Sequence, residues 1–219
     1  MFDLLIRNAQ VLDGTGAPAY LADVAVKDGK IAAVGKLSGE AAETVDAAGL
    51  TLAPGFIDVH GHSDFFMPLD PARASKLLQG VTTELCGQCG LGPAPVTEQN
   101  YPVYHKYLSQ QGIPMYPDDR TFTSFSAYLS RMEKTPAGIN LAYFIPHGTV
   151  RLAVMGFSHD APDDRQLAQM RELVEDAMQA GALGLSTGLA YAPGRFAATD
   201  ELAALTEPVG RYGGVSVSY

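Results

Sequence analysis

Cysteine is scarce in this chain: 219 residues contain two, Cys86 and Cys89. Two thiols this close in sequence cannot staple a fold, and in a reducing compartment such a pair more often binds metal or does redox chemistry. Positive charge is also short, with 15 Lys and Arg against 24 Asp and Glu, and the acidic residues are scattered rather than grouped. A surface of net charge −9 repels nucleic acid and anionic lipid, so neither is an expected partner. No stretch of about 18 apolar residues could span a bilayer. The opening Met1-Phe2-Asp3-Leu4-Leu5-Ile6-Arg7 lacks a basic leader and an apolar signal core, so a cytoplasmic protein is expected. Also missing are a Gly-rich phosphate cradle, a Gly-x-Ser-x-Gly elbow and any nucleic-acid motif. What is present, 47% hydrophobic and 18% charged residues, suits a globular chain with a substantial core.

Residues Leu4 to Leu12 and Asp23 to Val34 read as strands, and Asp28-Gly29 supplies a tight hairpin turn. A further strand near Thr44 to Asp46 precedes Pro54-Gly55, which marks a domain boundary: residues 1–54 on one side, 55–219 on the other. Beyond it the pattern alternates. Strands are expected at Phe56 to His60, Gly80 to Cys86, Asn140 to Ile145, Leu183 to Ser186 and from Gly214. Helices are expected around Ala72 to Gln79, Ser124 to Glu133, Pro162 to Ala180 and Asp200 to Arg211. Gly90 to Pro136 reads as an irregular, site-forming insertion apart from its one helix. The fold class is α/β: five strands alternating with helices suggest the first half of a (β/α)8 barrel, which by itself takes about 250 residues. The final Gly213 to Tyr219 looks like a strand cut partway. A continuing chain, or a second polypeptide pairing with the open edges, is expected to complete the barrel.

Four places could carry chemistry. In Gly55-Phe56-Ile57-Asp58-Val59-His60-Gly61-His62-Ser63-Asp64, strand alternation would put Asp58, His60 and His62 on one face, so that two imidazoles converge, with Asp58 or Asp64 placed to orient the rings. His-x-His also arises by chance, but this one ends the first strand of a βα series, at the face where barrels place their sites. Cys86-Gly87-Gln88-Cys89-Gly90 ends the second strand on the same face. A redox Cys-x-x-Cys normally opens a helix, which Gly90-Leu91-Gly92-Pro93 does not resemble, and a zinc ribbon would need a second pair. His147, after the third strand, is a metal ligand or, more commonly for a lone His there, a loop residue that hydrogen-bonds nearby. Tyr191, beyond the fourth strand, either contacts a substrate carboxylate or packs.

Taken together, Leu4 to Gly14, Pro54-Gly55-Phe56-Ile57-Asp58-Val59-His60-Gly61-His62, Gly80-Val81-Thr82-Thr83, Cys89-Gly90 and Gly181-Ala182-Leu183-Gly184-Leu185-Ser186-Thr187-Gly188-Leu189 resemble the N-acyl-D-amino-acid deacylases of the amidohydrolase superfamily. The likeness runs over essentially the whole chain. The His-x-His strand alone is shared with dihydroorotases and hydantoinases; the Cys-Gly and Gly-Leu-Ser-Thr-Gly-Leu elements narrow it. The resemblance implies zinc held by His60, His62 and Cys89 rather than Cys86, with Tyr191 near a small-molecule substrate. It implies hydrolysis of N-acyl-D-amino acids to a carboxylate and a D-amino acid. Residues 1–54 would be the N-terminal share of a small β domain. The family's other histidine ligands and its catalytic aspartate come from later strands than these residues supply. Two competing readings are a cyclic-amide hydrolase of the dihydroorotase or hydantoinase kind, and an inactive fragment or association partner.

Overall fold

The computed structural model describes every residue except 67–69, 71, 73 and 115–121. The start of the helix expected from Ala72, and the middle of the 90–136 insertion, lie partly outside the described residues. The chain divides into two compact units, Met1–Gly55 and Phe56–Tyr219.

The first unit is a sheet of β1 (Phe2–Val11), β2 (Tyr20–Lys27), β3 (Lys30–Gly35), β4 (Ala41–Asp46) and β5 (Thr51–Leu52). Its order is β3-β2-β1-β4, with β5 also beside β1. The β1-β2 and β2-β3 pairs are antiparallel, whereas β4 and β5 run parallel to β1. Asp28 (φ 52°) and Gly29 (φ 71°) supply the two positive φ angles that make the β2-β3 hairpin tight. Strand alternation gives the sheet one apolar face, where Ala9, Val11, Ala22, Val24 and Ala47 pack together.

The second unit contains six strand segments and six α-helices among the described residues. Its strands are β6 (Phe56–Asp58), β7 (Val81–Cys86), β8 (Asn140–Tyr143), β9 (Ile145–Pro146), β10 (Gly184–Thr187) and β11 (Val215–Ser218), six segments in all, because β8 and β9 are two halves of one barrel strand.

 

All of these pairs are parallel, in the orders β6-β7-β8 and β11-β10-β9. The third barrel strand changes neighbours at Phe144. Phe144 N donates to Cys86 O at 3.0 Å and Leu183 N donates to Tyr143 O at 2.8 Å, so the arc runs unbroken from β6 to β11. The helices are α1 (Ala74–Leu77), α2 (Tyr101–Gln110), α3 (Phe125–Met132), α4 (His147–Met155), α5 (Asp164–Gln179) and α6 (Thr199–Arg211). Met170, Val174, Ala177 and Met178 of α5 follow helical spacing and pack with Tyr143, Ile145, Leu185, Leu205 and Val209. None of the described helices is long and apolar enough to cross a membrane.

Three details differ from the sequence reading. The 90–136 insertion carries a second helix, α2, opened by Pro102 in its first turn and buried through Tyr104 and Leu108, one helical turn apart. His147 to Arg151 is not a loop: α4 begins at His147, where burial from His147 through Leu152 overrides the weak helix propensity of Gly148, Thr149 and Val150. Finally, α5 is opened by Asp163, which forms a capping box with Gln166, rather than by Pro162.

Candidate metal centre

Strand β6 stops at Asp58, so strict alternation does not carry through to the two histidines. His60 lies just beyond the strand, and His62 precedes a short 3-10 turn at Ser63–Phe65. The donor atoms of His60, His62 and Cys89 nevertheless all lie within 4.8 Å of one another. Cys89 Sγ is 3.2 Å from His60 Nε2, and the two imidazoles meet edge to face with centroids 5.7 Å apart.

The backbone between the histidines is held against β7. Gly61 N donates to Leu85 O at 3.1 Å. Gly61 cannot be any other residue here without rearrangement, because a Cβ on it would stand 1.8 Å from the buried Glu84 Oε1. That carboxylate accepts the Ser63 hydroxyl and the Ser63 N–H, the latter at 3.2 Å, and lies 3.7 Å from Lys76 Nζ. Two further bonds tie the histidine segment to the cysteine loop. Gln88 Nε2 donates to Val59 O at 2.9 Å, and Gly87 N donates to Asp64 Oδ2 at 3.1 Å. Cys89 itself adopts φ 59°, a left-handed conformation that a residue with a Cβ occupies at a cost. It is crowded into place by Gly188, where an added Cβ would fall 1.9 Å from Cys89 O.

Electrostatics favour the neutral form of the His62 ring. Burial, then the neighbouring His60, lowers the pKa of His62, leaving a neutral ring with a lone pair. Burial, then Asp64, raises that of the Cys89 thiol, so it ionises readily only beside a cation. Burial is also the main reason that Asp64 is pushed up to about 7. Two imidazoles and a thiol form a donor set suited to zinc and its late first-row neighbours. His62 Nδ1 is buried with no hydrogen-bond partner among the described residues, as expected of a site that awaits a group outside the chain.

A model described as "Amidohydrolase family" matches residues 43–213, most of the chain. This chain belongs to the amidohydrolase family. It is 39% identical over 219 residues to a D-aminoacylase of Alcaligenes xylosoxydans xylosoxydans, covering 100% of this chain and 44% of the relative. Among solved structures, an N-acyl-D-glutamate deacylase of Bordetella bronchiseptica, complexed with zinc and a phosphonate inhibitor, matches with a TM-score of 0.88 and 36% identity over 99% of this chain and 44% of that one. A D-aminoacylase studied for its binuclear metal centre matches with a TM-score of 0.90 and 36% identity, over 100% of this chain and 45% of that one. The fold is therefore a part of the amidohydrolase barrel with its small β domain, and the chain spans less than half the length of these relatives.

The remaining expected residues take other places in this amidohydrolase. Cys86 is buried in the apolar core near Tyr128 and Tyr143, away from the three donors, and burial raises its thiol far above the ordinary range. Neither acidic neighbour hydrogen-bonds a histidine ring among the described residues. Asp58 pairs with Lys76 and accepts the His60 N–H at 3.2 Å, while Asp64 accepts backbone N–H groups. His147 is outside the donor group, buried and 2.8 Å from Glu201 Oε1 through Nε2. Tyr191 stacks at 6.3 Å on Tyr219, whose ring is 5.5 Å from His60. Sequence reasoning missed Glu84 and Glu201. Glu84 had one signal, a lone acid within the otherwise uncharged Val81 to Cys86 strand; Glu201 sits in a first helical turn, where an acid is ordinary.

Proposed function

We propose that these residues form one part of the active site of a zinc-dependent N-acyl-D-amino-acid deacylase, which hydrolyses its substrate's amide bond to a carboxylate and a D-amino acid. The observation that carries this reading is the convergence of His60, His62 and Cys89 donor atoms within 4.8 Å. Those three side chains would hold the metal. A zinc ion there would supply Lewis acidity, polarising the amide carbonyl and acidifying water. Gly61, Glu84 and Gln88 fix the loops that carry the donors, and Tyr191 would line the approach to them. The general base, and the rest of the coordination shell, would come from barrel strands outside these 219 residues, supplied by further chain or by a second polypeptide. Residues 1–54 would contribute to the small β domain, and a cytoplasmic setting would keep Cys89 reduced.

The test is metal analysis and product analysis on protein of the relatives' length, offered N-acetyl-D-amino acids and hydantoins side by side. Zinc content, activity abolished by chelator and restored by zinc, and release of acetate are expected. Metal-free protein that keeps its activity in strong chelator would refute the reading, and turnover of hydantoins alone would move it to the cyclic-amide hydrolases.

A further inference from the structure

The Gly-Leu-Ser-Thr-Gly-Leu element belongs to β10, yet its serine reaches the cysteine loop. Ser186 is wholly buried. Its hydroxyl donates to Gly87 O and accepts the Gly90 N–H at 3.2 Å. These two backbone groups flank Cys89 on either side, so one hydroxyl closes the loop as a bracket. We propose that Ser186 is the positioning residue of Cys89: it holds the backbone in the positive-φ conformation that aims Sγ at His60 and His62. This rests on the metal reading of the site above, and extends it to a residue that touches neither metal nor substrate.

Three features support the assignment. The strain at Cys89 persists only if its surroundings over-determine it. Gly188, two residues beyond Ser186, leaves no room for the loop to relax toward β10. Both loop groups are buried, so loss of the hydroxyl would leave a donor and an acceptor unpaired, and the loop would open to satisfy them with water.

The test compares wild type with Ser186→Ala in the full chain, first without metal. Alkylation of the two cysteines is followed separately by peptide mass mapping, with Cys86, buried in the core three residues away, as the internal control. Cys89 is expected to react about tenfold faster in Ser186→Ala while Cys86 stays protected, the scale of one lost buried hydrogen bond. Unchanged Cys89 reactivity overturns the proposal, as does a parallel rise at both cysteines, which signals general loosening. If Ser186→Ala does not fold, amide exchange in the wild type decides: the Gly90 N–H should be as protected as the core, and free exchange overturns the proposal. Cobalt substitution then reads the metal. A thiolate-to-cobalt absorption band in wild type, weakened in Ser186→Ala and restored in Ser186→Thr, is expected. A wild type that binds no cobalt through Cys89 sinks the deacylase reading instead, and the metal-free alkylation result tells the two failures apart.

Discussion

At Cys89 one residue meets two demands: its side chain must be a soft donor, and its backbone must tolerate φ 59°. Asparagine satisfies the second demand but not the first, because it is enriched in the left-handed region while lacking a thiolate. Cys89→Asn should therefore leave the stability of the metal-free protein within about 1 kcal/mol of wild type, since no new backbone strain arises. Its zinc affinity should fall by at least roughly tenfold, the lower bound for disturbing a metal site. Denaturant titration and competitive metal titration read the two effects separately. Unchanged zinc affinity would show that Cys89 is not a ligand.

Between elements, the buried group of His147, Arg151 and Glu201 ties α4 to α6. Glu201 accepts from Arg151 and lies 2.8 Å from His147 Nε2, while Arg151 Nη2 donates to Asp160 O at 2.6 Å and to Ser158 O at 3.3 Å. Glu201→Ala would leave the Arg151 charge buried without its counter-ion, at a cost of about 3–5 kcal/mol. The pH dependence follows from the same contacts. Burial works to raise the Glu201 pKa, but hydrogen bonds from His147 and Arg151 outweigh it, and the folded value lies below the ordinary one. A depressed carboxylate contributes stability that is full above its unfolded pKa and is lost as pH falls through the folded one. Glu201→Gln should thus flatten the acid limb of the stability curve below about pH 4.5, near the unfolded glutamate value. An acid limb identical to wild type in urea titrations would count against this account. The strand and helix series was legible because hydrophobic period and turn residues are local signals, as in α5 and the Asp28-Gly29 hairpin. The His-x-His and Cys-x-x-Cys pairs were legible for the same reason. Glu201, Glu84 and the helical state of His147 were not, because each is fixed by partners 21 to 54 residues away, such as Ser63 for Glu84 and Glu201 for His147.

At the scale of the molecule, the second unit presents apolar surface at both ends of its strand arc. Beside β6, Phe56, Ile57 and Val59 are 62%, 61% and 65% exposed, and at the other end Val215 and Tyr219 are 55% and 65% exposed. Among the described residues β6 pairs only with β7, and β11 only with β10, so both edges offer free backbone groups as well as apolar side chains. Parallel strands are normally covered on both faces and at both edges, and an exposed combination of this kind drives association. The 219-residue polypeptide produced alone should therefore sediment as dimers or larger species and bind a hydrophobic dye. Ile57→Lys, which puts a charge on the β6 edge outside the donor group, should shift the distribution toward monomer. Protein of the relatives' length should bind less dye for each β6 edge it contains, because the added chain covers that surface. Sedimentation velocity across a concentration series separates these cases. A 219-residue monomer that binds no dye would mean that these edges are satisfied in some other way, and that the barrel needs no further strands to be stable.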